Sequence, residues 1–164
     1  MDKESEIMLS QAFELCEDGN YLEALNLYDC VIKKHPKNIN PLIDKAVTLQ
    51  NLGKIDQAIE IYDQALKIDP NNLDVLINKG SALHTSEKYH EAITYYDMAI
   101  QIDKKCAMAL AYKGLSLGEL GKLNDALKHF KKSLAIDQDY DLANISKKLA
   151  QDLLKDSKKK SKTL

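Results

Sequence analysis

A repeat of 34 residues is the feature of this sequence that most constrains its fold. The same small residue returns four times at this interval, as Ala24, Ala58, Ala92 and Ala126. An aromatic residue follows four positions later in each copy, as Tyr28, Tyr62, Tyr96 and Phe130. Four copies follow one another without an insertion, over residues 5–38, 39–72, 73–106 and 107–140. A repeat of this length predicts a row of similar units that stack on one another instead of sharing one central core.

Each copy predicts two helices joined by a tight turn. In the first half of a copy, apolar or small residues recur at steps of three and four, which is the spacing of one buried helix face. These triples are Met8, Ala12, Leu15; Leu42, Ala46, Leu49; Leu76, Gly80, Leu83; and Leu110, Gly114, Leu117. The small middle residue lets a neighbouring helix approach closely. Gly19, Gly53 and Gly121 follow the first helix and favour a C-cap with positive φ, whereas Glu87 takes this place in the third copy.

The second helices are predicted to end in two ways. Pro36 and Pro70 stop the first two, since proline cannot continue the helical hydrogen-bond ladder. In the later copies, turns at Asp103 and Asp137 take over. Residues 141–155 form one more helix that caps the row, with polar residues at its would-be core positions Asn144, Lys148 and Gln151. We therefore predict a single domain over residues 1–155, followed by a disordered Lys-rich tail over 156–164.

Composition excludes several classes of function. The net charge is −2, and all 23 basic residues are Lys, so nucleic acid is not expected as a partner. The N-terminus has no apolar run and no stretch approaches the length of a membrane span, which predicts a cytoplasmic protein without a membrane partner. Three scattered cysteines and four histidines form no spacing typical of a metal site or catalytic triad. We expect no cofactor, no metal and no enzymatic activity.

The pattern of small and large residues over 34 positions resembles the tetratricopeptide repeat family, and the resemblance covers 136 of the 164 residues. It implies an all-α fold, a right-handed superhelix of four helix-turn-helix repeats with a capping helix. It also implies that a peptide or partner protein binds in a concave groove lined by the first helix of each copy. Lys45, Lys79 and Lys113 also recur at this interval, and we interpret them as solvated stems that cover neighbouring helices.

In the family's frame, the fifth and ninth residues of each copy form the groove floor. They are Leu9, Phe13, Ile43, Val47, Ile77, Ser81, Ala111, Leu115, Ile145 and Leu149. The rim includes Glu6, Asn40, Asp74, Asn78, His84 and Glu119. Nine of the ten floor residues are apolar, although none belongs to the core triples. The predicted ligand is therefore an amphipathic helix or extended segment with apolar anchors and flanking Lys or Arg.

Three alternatives stay open at the level of sequence. Neighbouring first helices can cover part of the floor, so that some of Ile43, Val47 and Ile77 are simply packed. A second copy of the chain can fill the groove through the capping helix, whose residues Leu142, Ile145, Leu149 and Leu153 share one face. The chain can also be a chaperone-like binder of exposed apolar segments.

The carboxylate clamp of the family's chaperone adaptors is not expected here. Leu9 and Phe13 stand where that clamp has its first Lys and Asn. In a register shifted by one copy, only Asn78 matches.

Overall fold

The computed structural model describes residues 1–160, with side chains up to Asp156, and this part of the chain is helical without any strand. Its helices are α1 (Lys3–Glu17), α2 (Tyr21–Lys34), α3 (Asn40–Asn51), α4 (Ile55–Ile68), α5 (Leu73–Thr85), α6 (Tyr89–Ile102), α7 (Ala107–Glu119), α8 (Leu123–Ile136) and α9 (Asp141–Lys160). Each of the four predicted copies holds one pair of them. The all-α repeat prediction is confirmed.

The chain divides into two compact units, residues 1–86 and 87–164. In the first unit, α1 to α5 pack consecutively, and α3 also contacts α5. In the second unit, α6 to α9 pack consecutively, and α7 also contacts α9. The first helices of successive copies therefore contact each other within each unit.

The pattern of buried residues recurs at the same 34-residue interval as the sequence repeat. In every second helix the small residue and the aromatic residue are buried, together with a third residue three positions later. These sets are Ala24, Tyr28, Val31; Ala58, Tyr62, Ala65; Ala92, Tyr96, Ala99; and Ala126, Phe130, Ser133. The first-helix triples are buried completely in copies two to four, while Met8 and Leu15 in the first copy are half-buried. Each unit therefore has its own core along the contacts between consecutive helices.

Gly114 shows why the middle residue of a triple is small. A Cβ atom on Gly114 would lie 2.6 Å from Cε1 of the Phe130 ring on α8, which is closer than real Cβ contacts come. The aromatic ring thus packs directly on the backbone of α7. Gly118, one turn further along the same helix, has open space where its Cβ would be.

The turns after the first helices need a residue in the left-handed backbone conformation, with positive φ. Gly53 has a φ of 72°, and no atom lies within 4 Å of the place where its Cβ would be. Glu87 occupies the same place in the third copy with a φ of 59°. A non-glycine residue pays a steric penalty in this conformation of about 1 kcal/mol. The third copy therefore keeps the backbone geometry of the turn despite its unfavourable residue.

The ends of the second helices agree with the sequence. α2 and α4 end at Lys34 and Ile68, two residues before Pro36 and Pro70. Where proline is missing, the carboxylates of Asp103 and Asp137 accept hydrogen bonds from backbone N–H groups two residues later, at 2.8 and 3.2 Å.

Lysine–aspartate ion pairs join neighbouring copies at the same 34-residue interval. Each lysine of a first helix lies 2.5 Å from an aspartate carboxylate on the preceding second helix. The pairs are Lys45–Asp29, Lys79–Asp63 and Lys113–Asp97. The Lys79 side chain is only 5% exposed. These lysines lie against neighbouring helices as predicted, but they are not solvated, because their side chains are largely buried and a carboxylate holds each amino group.

The capping helix is longer than predicted. Asn144, Lys148 and Gln151 are exposed, in agreement with an end that faces water, while Ala143 and Ala150 on the opposite side are buried. α9 continues to Lys160 and not to Lys155. Neither glycine nor proline occurs between these residues, and lysine is a good helix former, so nothing in the sequence stops the helix there. Residues 156–160, which belong to the predicted disordered tail, continue α9, and residues 161–164 lie outside the described part of the chain.

We predict that Gly114→Ala lowers the free energy of unfolding by about 1–2 kcal/mol, because the added methyl group collides with Phe130. The matched variant Gly118→Ala should raise it by about 0.5 kcal/mol, since alanine favours the helix and meets no neighbour. Urea unfolding followed by circular dichroism measures both. Equal shifts for the two variants would contradict the close approach of α8 to the backbone at Gly114.

We also predict that Glu87→Gly stabilises the protein by about 1 kcal/mol, because glycine removes the steric penalty of the left-handed turn. The reciprocal variant Gly53→Glu should lose a similar amount. Thermal unfolding of both variants tests this pair. A lower melting temperature for Glu87→Gly would show that its side chain contributes more than its backbone conformation costs.

Candidate partner-binding face

In the first unit, the predicted floor residues are most exposed on α1 and most buried on α5. Phe13 is 64% exposed and Val47 is 37% exposed. Leu9 and Ile43 are half-buried, and each packs with one side against the core of its own copy. Ile77 is buried, and Ser81 is half-buried. Among the predicted floor residues of this unit, the accessible ones therefore lie on α1 and α3, and we call Leu9, Phe13, Ile43 and Val47 the α1–α3 face.

In the second unit, the floor is closed at α7 and open at α9. Ala111 is fully buried, and Leu115 is half-buried against the core of the unit. Ile145 and Leu149 are 68% and 61% exposed. The sequence could not distinguish these positions, because all of them have the same place in the repeat. Exposure at these positions depends on the surrounding helices, and within the units α3 contacts α5 and α7 contacts α9.

A polar cluster links α1 to α3 beside the α1–α3 face. The Thr48 hydroxyl donates a hydrogen bond to the carbonyl oxygen of Asp44 at 2.8 Å, and its Oγ1 lies 3.4 Å from Cys16 Sγ. Cys16 Sγ is 3.8 Å from the Tyr28 hydroxyl. Burial raises the pKa of Tyr28, so the phenol stays neutral at physiological pH. Thr48 was missed in the sequence because the other copies have Glu14, Ala82 and Ser116 in its place.

A second tyrosine supports the rim of α3. The Tyr62 hydroxyl on α4 donates a hydrogen bond to Oε1 of Gln50 at 2.5 Å. Desolvation raises the pKa of Tyr62, which keeps this donor protonated. This hydrogen bond fixes the Gln50 side chain, so α3 has a defined polar edge.

The predicted rim residues differ in how far they reach into solvent. Glu6, Asn40 and Asp74 in the first unit are exposed, while Asn78 and His84 are half-buried. Glu119 in the second unit is exposed. On α1, Glu6 and Glu17 lie on the same helix face as Phe13, because they are seven and four residues away from it. The α1–α3 face is thus an apolar surface with carboxylates at both ends of α1.

Other kinds of site find little support in the described part of the chain. No group of three or more His, Cys, Asp or Glu side chains there comes together as a metal site would require. None of the described helices combines the length and apolar character needed to cross a bilayer. Cys16, Cys30 and Cys106 are free thiols.

Solved structures share this fold. A crystal structure of MamA protein has a TM-score of 0.79 and 23% identity, covering 93% of this chain and 83% of that one. MamA 41-end from Desulfovibrio magneticus RS-1 has a TM-score of 0.77 and 18% identity, covering 99% and 98%. The first TPR of Spaghetti (RPAP3) bound to HSP90 peptide SRMEEVD has a TM-score of 0.68 and 23% identity, covering 71% and 92%.

Sequence comparison defines the family. No curated protein sequence matches this chain significantly. A family model described as tetratricopeptide repeat matches residues 15–75 and 52–114, which together span 100 of the 164 residues. The four buried helix pairs at a 34-residue interval are the structural counterpart of that match. This chain belongs to the tetratricopeptide repeat family.

Proposed function

We propose that this chain is a non-catalytic protein–protein interaction module that binds a helix or an extended segment of a partner protein on its α1–α3 face. Membership of the tetratricopeptide repeat family supports an interaction module in general. The specific proposal rests on one observation. Phe13 and Val47, which are the ninth residues of the first two copies, remain exposed, although most equivalent residues of the central copies are covered. A soluble protein rarely leaves such an apolar surface open without a use for it.

The charge around the face indicates the chemistry of the partner. Glu6 and Glu17 flank Phe13 along α1, and Asp74 is exposed at the start of α5. Carboxylates at the edge of an apolar surface favour a ligand that has apolar anchors in the middle and Lys or Arg beside them. A ligand with flanking Asp or Glu would be repelled. The acidic edge thus sets orientation and selectivity, while the apolar residues supply most of the affinity.

The size of the face limits that affinity. Four side chains that each gain about 1 kcal/mol from a partner give about 4 kcal/mol in total. A micromolar complex needs about 8 kcal/mol after the cost of association has been met. The partner must therefore also contact the polar edge, including Gln50 and the exposed carboxylates. This requirement favours a ligand of several turns of helix over a short peptide.

A chaperone-like role is a second candidate, which the same uncovered apolar residues favour. The two functions differ in selectivity, because a chaperone-like surface accepts apolar segments irrespective of the charges beside them. Peptide selection separates them. A consensus with basic flanks supports a dedicated partner, and enrichment of apolar residues alone supports the chaperone-like role.

We predict that a displayed peptide library selected on the wild-type protein becomes enriched in segments with apolar anchors and basic flanks. The double variant Phe13→Asp with Val47→Asp should lose at least tenfold in affinity for them, because two anchors become charged. Fluorescence anisotropy with a selected peptide measures the loss. Both residues are exposed, so the variant should keep the helical circular dichroism of the wild type.

Leu22→Asp is the matched control. Leu22 on α2 is 63% exposed, nearly as much as Phe13, but lies on a second helix. The control should bind the selected peptide like the wild type. Equal loss in both variants, or undiminished binding by the double variant, would contradict the proposed face. Ile43 and Ile77 are unsuitable for this test because one packs against the core and the other is buried.

A further inference from the structure

The charges of the chain are separated along its length. Residues 1–32 hold eight carboxylates and one lysine, a formal charge of −7. Residues 33–121 hold eleven carboxylates and eleven lysines and are neutral. Residues 122–164 hold eleven lysines and six aspartates, a charge of +5. The net charge of −2 thus conceals an acidic first copy and a basic C-terminal region.

The ladder of ion pairs also stops where the basic region begins. One interval after the Lys113–Asp97 pair, the aspartate position holds Lys131 on α8 and the lysine position holds Lys147 on α9. Within the described residues, neither lysine forms an ion pair. Lys128, Lys131 and Lys132 line a surface cavity of about 460 Å³ on α8. Lys155 pairs with Asp152 at 3.4 Å, but the lysines of this region outnumber its carboxylates by five, so a net positive charge remains.

The acidic and the basic region each carry exposed apolar residues, while Val47 of the α1–α3 face lies in the neutral middle region. On α9, Ile145, Leu149 and Leu153 follow one another at four-residue steps and are 68%, 61% and 48% exposed. Ile145 and Leu149 lie on the side of the helix away from the buried Ala143 and Ala150, and Leu153 lies between Leu149 and Ala150 around the helix. In the acidic first copy, Phe13 is 64% exposed. An apolar helix face in a basic region is the kind of ligand that the α1–α3 face requires.

We propose that the α1–α3 face of one copy binds the apolar face of α9 of a second copy. Phe13 and Val47 bury Ile145, Leu149 and Leu153, while Glu14 and Glu17 on α1 attract Lys148 and Lys155 on α9. This inference rests on the proposed function, because it names the occupant of the same face. Charge complementarity favours a second copy over an unrelated protein, since one chain carries both the acidic and the basic member.

The charge separation also sets the geometry of association. Two acidic first copies repel each other, and so do two basic ends, so contacts between unlike ends are favoured. Such a contact is heterologous, so two chains that are joined by a single contact leave one α1–α3 face and one α9 unoccupied. Association can therefore continue beyond the dimer. It should weaken as salt screens the charges.

Charge exchange tests the contact directly. We expect the wild-type mass, measured by light scattering over a concentration series, to rise with concentration at low salt and to fall at high salt. Glu14→Lys with Glu17→Lys should weaken association about tenfold or more, and so should Lys148→Glu with Lys155→Glu. Mixing the two variants should restore association, because each then offers the charge that the other lacks.

The control variant changes the charge by the same amount at another place in the chain. Glu60→Lys with Glu91→Lys alters two exposed residues of the neutral middle region by the same amount and should associate like the wild type. The proposal is overturned if the wild type keeps the mass of a single chain throughout, if the control loses association equally, or if the mixture does not recover.

Peptide binding by dilute protein, where copies stay apart, separates this inference from the proposed function. Binding of library peptides without any self-association would overturn the inference alone. Failure of both measurements would overturn the proposed face itself.

Discussion

The packing of an aromatic ring from each second helix against a small residue of the first helix is the contact on which the structure depends. At Gly114 the ring of Phe130 comes so close that the backbone itself is its neighbour. Tyr28, Tyr62 and Tyr96 are buried in the corresponding places. Because the pairing occupies one face of each first helix, the opposite face is free to contact a neighbouring first helix or a partner. One face of each first helix therefore stabilises the fold, and another face is open to a neighbouring helix or a partner.

Much of this fold can be predicted from the sequence because its causes are local and repeated. The triples, the turn glycines and the two prolines each act within a few residues, so a 34-residue period reveals both helices and their ends. Asp29 and Lys45 were harder to connect, since 16 residues and a turn separate them. Their shared interval was nevertheless present in the sequence, and it would have identified the ion pairs that join consecutive copies.

The accessible surface could be predicted only in part. Ile77 and Ile145 have the same place in the repeat, yet one is buried and the other is largely exposed. The difference arises from the surroundings of each helix and not from the residue itself, because both residues are isoleucines at the same position of the repeat. An identical sequence signal therefore has opposite consequences in the middle and at the end of the repeat array. The structure reduces a predicted floor of ten residues to an α1–α3 face and a separate face on α9.

We propose that the first helices, not the second helices, bind the partner. Two-dimensional NMR of the labelled protein during titration with a selected peptide measures this residue by residue. We expect the amide signals of α1 and α3 around Phe13 and Val47 to shift, while those around Leu22 on α2 stay in place. Shifts centred on α2 and α4 with an unchanged α1 would contradict this proposal.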